Sequence, residues 1–73
     1  MNDTTRVYEL ITEAEALSFK IVKLENFITS DKFNNIPSVQ QHLLTEQYDI
    51  MRDYLTVLLR RLYYMNEGKE DEM

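Results

Sequence analysis

RVYELITEAEALSFKIVKLENFITS, Arg6 to Ser30, decides the fold. Val7, Leu10, Ala14, Leu17, Ile21, Leu24 and Ile28 follow one another three and four residues apart without a break. That spacing lays an apolar stripe along one side of an α-helix, the seam with which one helix packs on another. Neither glycine nor proline interrupts Met1 to Asn35, so nothing local ends the helix before Thr29. About 25 residues at ~1.5 Å each make a rod of roughly 38 Å. Asp3, Thr4 and Thr5 offer side-chain oxygens to cap its free N–H groups. Glu9 near the first turn suits the positive end of the helix dipole.

Beyond the first helix comes SDKFNNIPS, Ser30 to Ser38. Serine, aspartate and asparagine favour turns through bonds to their own backbone. Pro37 disfavours helical geometry at Ile36, which marks a boundary. Ser38 with Gln41 three residues on has the form of a capping box for a second helix. Phe33 and Ile36 are expected to fold back over the helix ends. A connection this short joins antiparallel neighbours.

The second helix has its own seam: Leu44, Tyr48, Met51, Leu55, Leu58, Leu62 and Met65. Leu43, Ile50, Tyr54, Val57 and Tyr64 form another stripe beside it. One helical partner covers only a narrow stripe, so this width predicts self-association. The sequence therefore predicts an all-α protein, an antiparallel two-helix hairpin with a short N-terminal lead-in that assembles into a helical homo-oligomer. One domain spans 1–73, with helix 1 at about 4–29, a loop at 30–37, helix 2 at about 38–66 and an acidic tail at 67–73. Gly68 serves as the stop at the end of helix 2.

Composition narrows the function. A chain of 73 residues is close to the lower limit for a self-sufficient core. It has no cysteine and one histidine, so disulfides and a zinc site are not available as staples. Oligomerisation is what remains. A net charge of -5 argues against a nucleic-acid polymer and against an anionic membrane surface. A small anionic ligand needs only a few local cations and stays possible. No run reaches transmembrane length and MNDTTRVYEL lacks the apolar core of a signal peptide.

Catalysis finds little support in the sequence. Glu13 with Glu15, and Asp49 with Asp53, read as solvated charge on an acidic surface rather than as an acid–base pair. His42 and Glu46, four apart, have a spacing that can hold a metal, but a single such pair reads first as a contact along one helix turn. No phosphate loop and no Ser–His or Cys–His arrangement occurs. No cofactor and no metal is expected.

Tyr8 and Lys23 are the candidate binding residues. Fifteen residues separate them, which is roughly 60° round the helix and about 22 Å along it. One small ligand does not reach both within a chain. Two antiparallel copies bring Tyr8 of one toward Lys23 of the other, and a two-fold axis supplies two of each. An aromatic ring can stack on a purine and an ammonium can pair with a phosphate. The ordinary alternative is packing: a tyrosine beside a seam, and a lysine whose stem covers apolar surface. Arg60 and Arg61, late in helix 2, either complement the helix dipole and pair with Asp53 or Glu67, or form an anion site where several chains meet. Thr29, Ser30 and Asn34 in the turn are candidate neutral donors for such a site.

RVYELITEAEALSFKIVKLENFITSDKFNNIP and LLTEQYDIMRDYLTVLLRRL together carry a resemblance to a known family. They resemble the small phage anti-CBASS proteins, sponges for the cyclic oligonucleotides that activate a bacterial immune effector. The shared features are the long first helix with its KLENFI segment, the SDKF-type loop, and Tyr48, Met51 and Tyr54 at their spacing. The resemblance covers all but the acidic tail. It implies a helical hexamer that acts in the cytoplasm of the infected bacterial host. It implies cyclic dinucleotides such as cyclic GMP-AMP held between pairs of protomers, and cyclic trinucleotides held where three meet, with no bond broken. In the dinucleotide site the family's base-stacking tyrosine and phosphate-binding lysine correspond to Tyr8 and Lys23. For the trinucleotide site an arginine late in helix 2 is implied, for which the chain offers both Arg60 and Arg61.

Sequestration of cyclic nucleotides is thus the first expected function. The alternative is a structural or regulatory hairpin that binds a partner protein through its wide apolar face.

Overall fold

The computed structural model describes residues 3–66. Helix α1 spans Asp3–Ile28 and helix α2 spans Ser38–Asn66, with a short 3-10 helix at Asp31–Asn35 between them. Among the described residues there is no strand. The two helices pack antiparallel along an elongated body of 48 × 20 × 16 Å. No helix among the described residues is long and apolar enough to cross a membrane. The lead-in before Asp3, the stop at Gly68 and the acidic tail lie outside the described residues.

The packing follows the two seams. Leu10, Ala14, Leu17 and Ile21 of α1 are buried together with Leu58 of α2. Tyr48, Met51, Leu55, Leu62 and Met65 pack around that cluster. Val7, Leu24 and Ile28 continue the α1 seam as half-buried residues. Among the described residues Leu58 alone is fully enclosed, at 0% exposure. The neighbouring stripe on α2 stays outside this core: Leu43, Ile50, Tyr54 and Val57 are exposed, and Tyr64 is half-buried. One helix partner covers one seam, and the second stripe has nothing in the hairpin to cover it.

The helix ends depart from the expected capping. Helix α1 is already under way at Asp3, so Thr4 and Thr5 lie inside its first turn and do not cap it. The Pro37 carbonyl accepts the first helical bond of α2, from the Gln41 N–H at 3.0 Å. That places Pro37 at the capping position and makes Ser38 the first helical residue. The capping box does not form. Gln41 instead donates its side-chain amide to the Ile36 carbonyl at 3.0 Å, which ties the turn to the helix start.

The turn itself is more ordered than an irregular loop. The Ser30 carbonyl accepts from Phe33 N–H at 3.2 Å, and the Phe33 carbonyl from Ile36 N–H at 3.4 Å. Phe33 meets Phe27 edge-to-face, ring centres 6.1 Å apart, so it folds back over the end of α1 as its apolar character demands. Ile36 is half-buried beside it.

Candidate functional site

Tyr8 and Lys23 both stand on the outer face of α1. Each lies two residues from a buried seam residue, Leu10 and Ile21, which turns it about 160° away from α2. Tyr8 is 66% exposed and Lys23 is exposed. Thr5, Glu9 and Thr12 surround Tyr8 in a shallow open depression. Packing within the hairpin therefore does not account for the tyrosine.

Because α1 runs unbroken from Asp3 to Ile28, the separation between Tyr8 and Lys23 is rigid, about 22 Å along the axis. Two such helices lying side by side would put their two Tyr8–Lys23 contacts at opposite ends. Crossing at an angle, with the two-fold axis passing between Glu15 and Ala16, would turn all four side chains toward one centre. Each would then start about 11 Å from the axis. Either way a small ligand touching both residues would need a second chain.

The arginines separate from each other. Arg61 faces α1 and lines a groove with Arg6, Glu9, Leu10, Glu13 and Met65. Its charge lowers the Tyr54 pKa, against the larger effect of Glu13. Arg60, one residue on and about 100° round the helix, does not line that groove. Arg60 and Arg61 also stand far from the turn: the stretch from Ser38 to Arg60 alone is roughly 33 Å of helix. Within one chain the arginines are not brought together with Thr29 and Ser30.

Thr29 and Ser30 close the end of α1. The Thr29 hydroxyl donates to the Glu25 carbonyl at 2.9 Å and lies 3.3 Å from that of Asn26. The Ser30 hydroxyl donates to the Phe27 carbonyl at 2.7 Å. These bonds satisfy carbonyls that a helix C-terminus leaves without partners. They also engage both hydroxyl protons, so toward a ligand each side chain presents its oxygen as an acceptor.

One side-chain bond spans the two helices and was not legible as such in the sequence. The Tyr54 hydroxyl donates to a Glu13 carboxylate oxygen. Glu13 stays exposed, as expected of surface charge, and also accepts this bond from across the helix pair. The bond to Glu13 holds the Tyr54 phenol above its ordinary pKa, helped by lost hydration and by the carboxylate's charge. A raised folded-state pKa stabilises the protein below the ordinary phenol range and loses that contribution as pH climbs through the folded value. In a phenolate absorbance titration, one of the five tyrosines should ionise above the ordinary range. Tyr54→Phe should remove that component and Glu13→Gln should lower it. An unchanged titration in both variants would show that the bond does not form in solution.

Further round α2, Arg52 lies over the Tyr48 ring at 5.7 Å, and Tyr63 meets Tyr64 edge-to-face at 5.2 Å. Among the described residues no group of three or more His, Cys, Asp or Glu side chains could hold a metal ion. The sequence reading missed Phe19 and Val22, exposed on the outer face of α1. The available signal was position: Phe19 follows Tyr8 by eleven residues, three helical turns, and so shares its side.

A family model described as Sequestin matches residues 4–64. No curated protein and no solved structure matches the chain.

Proposed function

The chain belongs to the Sequestin family, and on that basis we propose that it captures cyclic dinucleotides between protomers and holds them without cleaving them. The family name speaks of sequestration, and no enzyme family is indicated. The observation that carries the proposal is the placement of Tyr8. A tyrosine at 66% exposure, on the face turned away from α2, is available to a base and serves no packing role in the hairpin. Lys23 on the same rigid face supplies the cation for a phosphate. The rigid gap between them makes the site a property of an oligomer, for which the exposed stripe of Leu43, Ile50 and Val57 is the available adhesive surface. A cyclic trinucleotide would sit elsewhere, with Arg60 as its cation and Thr29 and Ser30 of another copy as its polar neighbours. Arg60 is preferred because Arg61 is turned to the groove beside Glu13. The protein would then act in the cytoplasm of a phage-infected bacterium, keeping the messenger from CBASS effectors.

A thermal-shift series tests this. A ligand bound only by the folded protein, at a hundredfold excess over Kd, adds about 2.7 kcal/mol. In a chain of this size that raises the Tm by roughly 10 °C or more. Cyclic GMP-AMP should give such a shift and its linear counterpart should not. Arg60→Ala should reduce the shift with a cyclic trinucleotide and leave the cyclic GMP-AMP shift intact. Equal shifts with cyclic and linear dinucleotides would contradict the proposal.

A further inference from the structure

Phe19 is the most exposed of the large apolar side chains among the described residues, at 71%. It stands two residues beyond buried Leu17, on the same outer face as Tyr8 and Lys23. Glu15, Ser18 and Val22 line a shallow depression with it. Phenylalanine is a poorer helix former than the lysine, glutamate or alanine found elsewhere on this helix. Left in water, it also forfeits what burial of its ring would contribute. Nothing in the hairpin explains its presence there.

Its position does. Phe19 lies one turn before Lys23 and three turns after Tyr8, about 20° round the axis from the tyrosine. A two-fold axis midway between Tyr8 and Lys23 passes between Glu15 and Ala16, within about 6 Å of Phe19 along the helix. Where the helices cross at this axis, a ligand that reaches from Tyr8 of one copy to Lys23 of the other spans the centre and meets Phe19; where they lie side by side, Phe19 stands one turn inward of Lys23, about 6 Å along the helix from that contact.

We propose that Phe19 is the apolar wall of the dinucleotide site, set between Tyr8 and Lys23, and that its contact with the base favours purines over pyrimidines. This rests on the dinucleotide site proposed above. The larger purine ring buries more apolar area against a phenyl face than a pyrimidine does, and aromatic contact adds to that. Tyr8 and Lys23 supply stacking and charge for any base; Phe19 supplies the preference.

Calorimetry with cyclic GMP-AMP and cyclic di-UMP tests this on the full chain, with the solution mass measured by light scattering. Wild type should bind the dipurine more tightly than the dipyrimidine. Phe19→Ala should weaken cyclic GMP-AMP at least tenfold, change cyclic di-UMP by less than threefold, and leave the mass unchanged. Phe19→Tyr should keep most of the affinity and Phe19→Leu should not. Wild-type affinity for cyclic GMP-AMP in Phe19→Ala would overturn the inference, as would equal losses for both ligands. A fall in mass would overturn it differently, by making Phe19 a contact between protomers. Failure of the underlying site has its own signature: wild type that binds neither dinucleotide, or Tyr8→Ala that binds cyclic GMP-AMP as tightly as wild type.

Discussion

Leu58→Ala should lose about 2–5 kcal/mol, the range for removing a buried leucine side chain when its surroundings only partly collapse. Among the described residues Leu58 is the one side chain enclosed completely, and it holds the α2 side of a core whose other buried members, Leu10, Ala14, Leu17 and Ile21, all come from α1. No second layer exists to refill the space. Small domains have only ~5–15 kcal/mol in total, so this loss removes much of the fold's stability. The Tm should fall by roughly 10 °C or more at fixed protein concentration. The adjacent Leu59, 52% exposed, provides the contrast. Leu59→Ala should cost far less in the hairpin itself. If the two variants unfold at the same temperature, the core is not where the structure places it.

Tyr8→Ala should abolish dinucleotide binding while leaving the helical content unchanged. Base–aromatic stacking is worth roughly 1–3 kcal/mol per base. A two-fold site loses it twice, so the expected loss is roughly 2–6 kcal/mol, or about thirtyfold to beyond ten thousandfold in affinity. Tyr8→Phe keeps the ring and should keep most of the affinity. Lys23→Ala removes a charge-assisted contact to phosphate and should act in the same direction, with Lys23→Arg as the milder change. Because both residues face away from α2, circular dichroism should show an intact hairpin in every case. Wild-type affinity in Tyr8→Ala by calorimetry would remove the residue from the site.

The seams were legible because helix packing is written in a repeat. Val7 to Ile28 on one helix and Leu44 to Met65 on the other recur at three and four, and every buried residue among those described falls on one of them. The exposure of Leu43, Ile50 and Val57 was legible for the same reason, since a second stripe has no place on a hairpin's single contact. What was not legible depends on long-range register. The bond from Tyr54 to Glu13 joins residues 41 positions apart, and only the packed helices say which carboxylate on α1 meets which ring on α2. The same register turns Arg61 toward α1 and leaves Arg60 outside the groove. The capping box fails because Pro37, not Ser38, occupies the capping position, and the Gln41 side chain donates to the Ile36 carbonyl instead. Thr29 and Ser30 were read as donors for a ligand, yet the end of α1 beside them offers nearer carbonyls. For the site, the sequence placed Tyr8 and Lys23 beside the seam and roughly 60° apart; the packed helices instead turn both to the face away from α2, where each is exposed.

Capture without chemistry is tested most directly by catch and release. The protein is incubated with cyclic GMP-AMP, the free fraction is measured after filtration, and the retained complex is heat-denatured. Sequestration predicts that the free ligand falls in proportion to protein and returns intact and in full on heating. Linear or hydrolysed product after heating would make the protein an enzyme, and a free fraction untouched by excess protein would mean that it does not bind the dinucleotide.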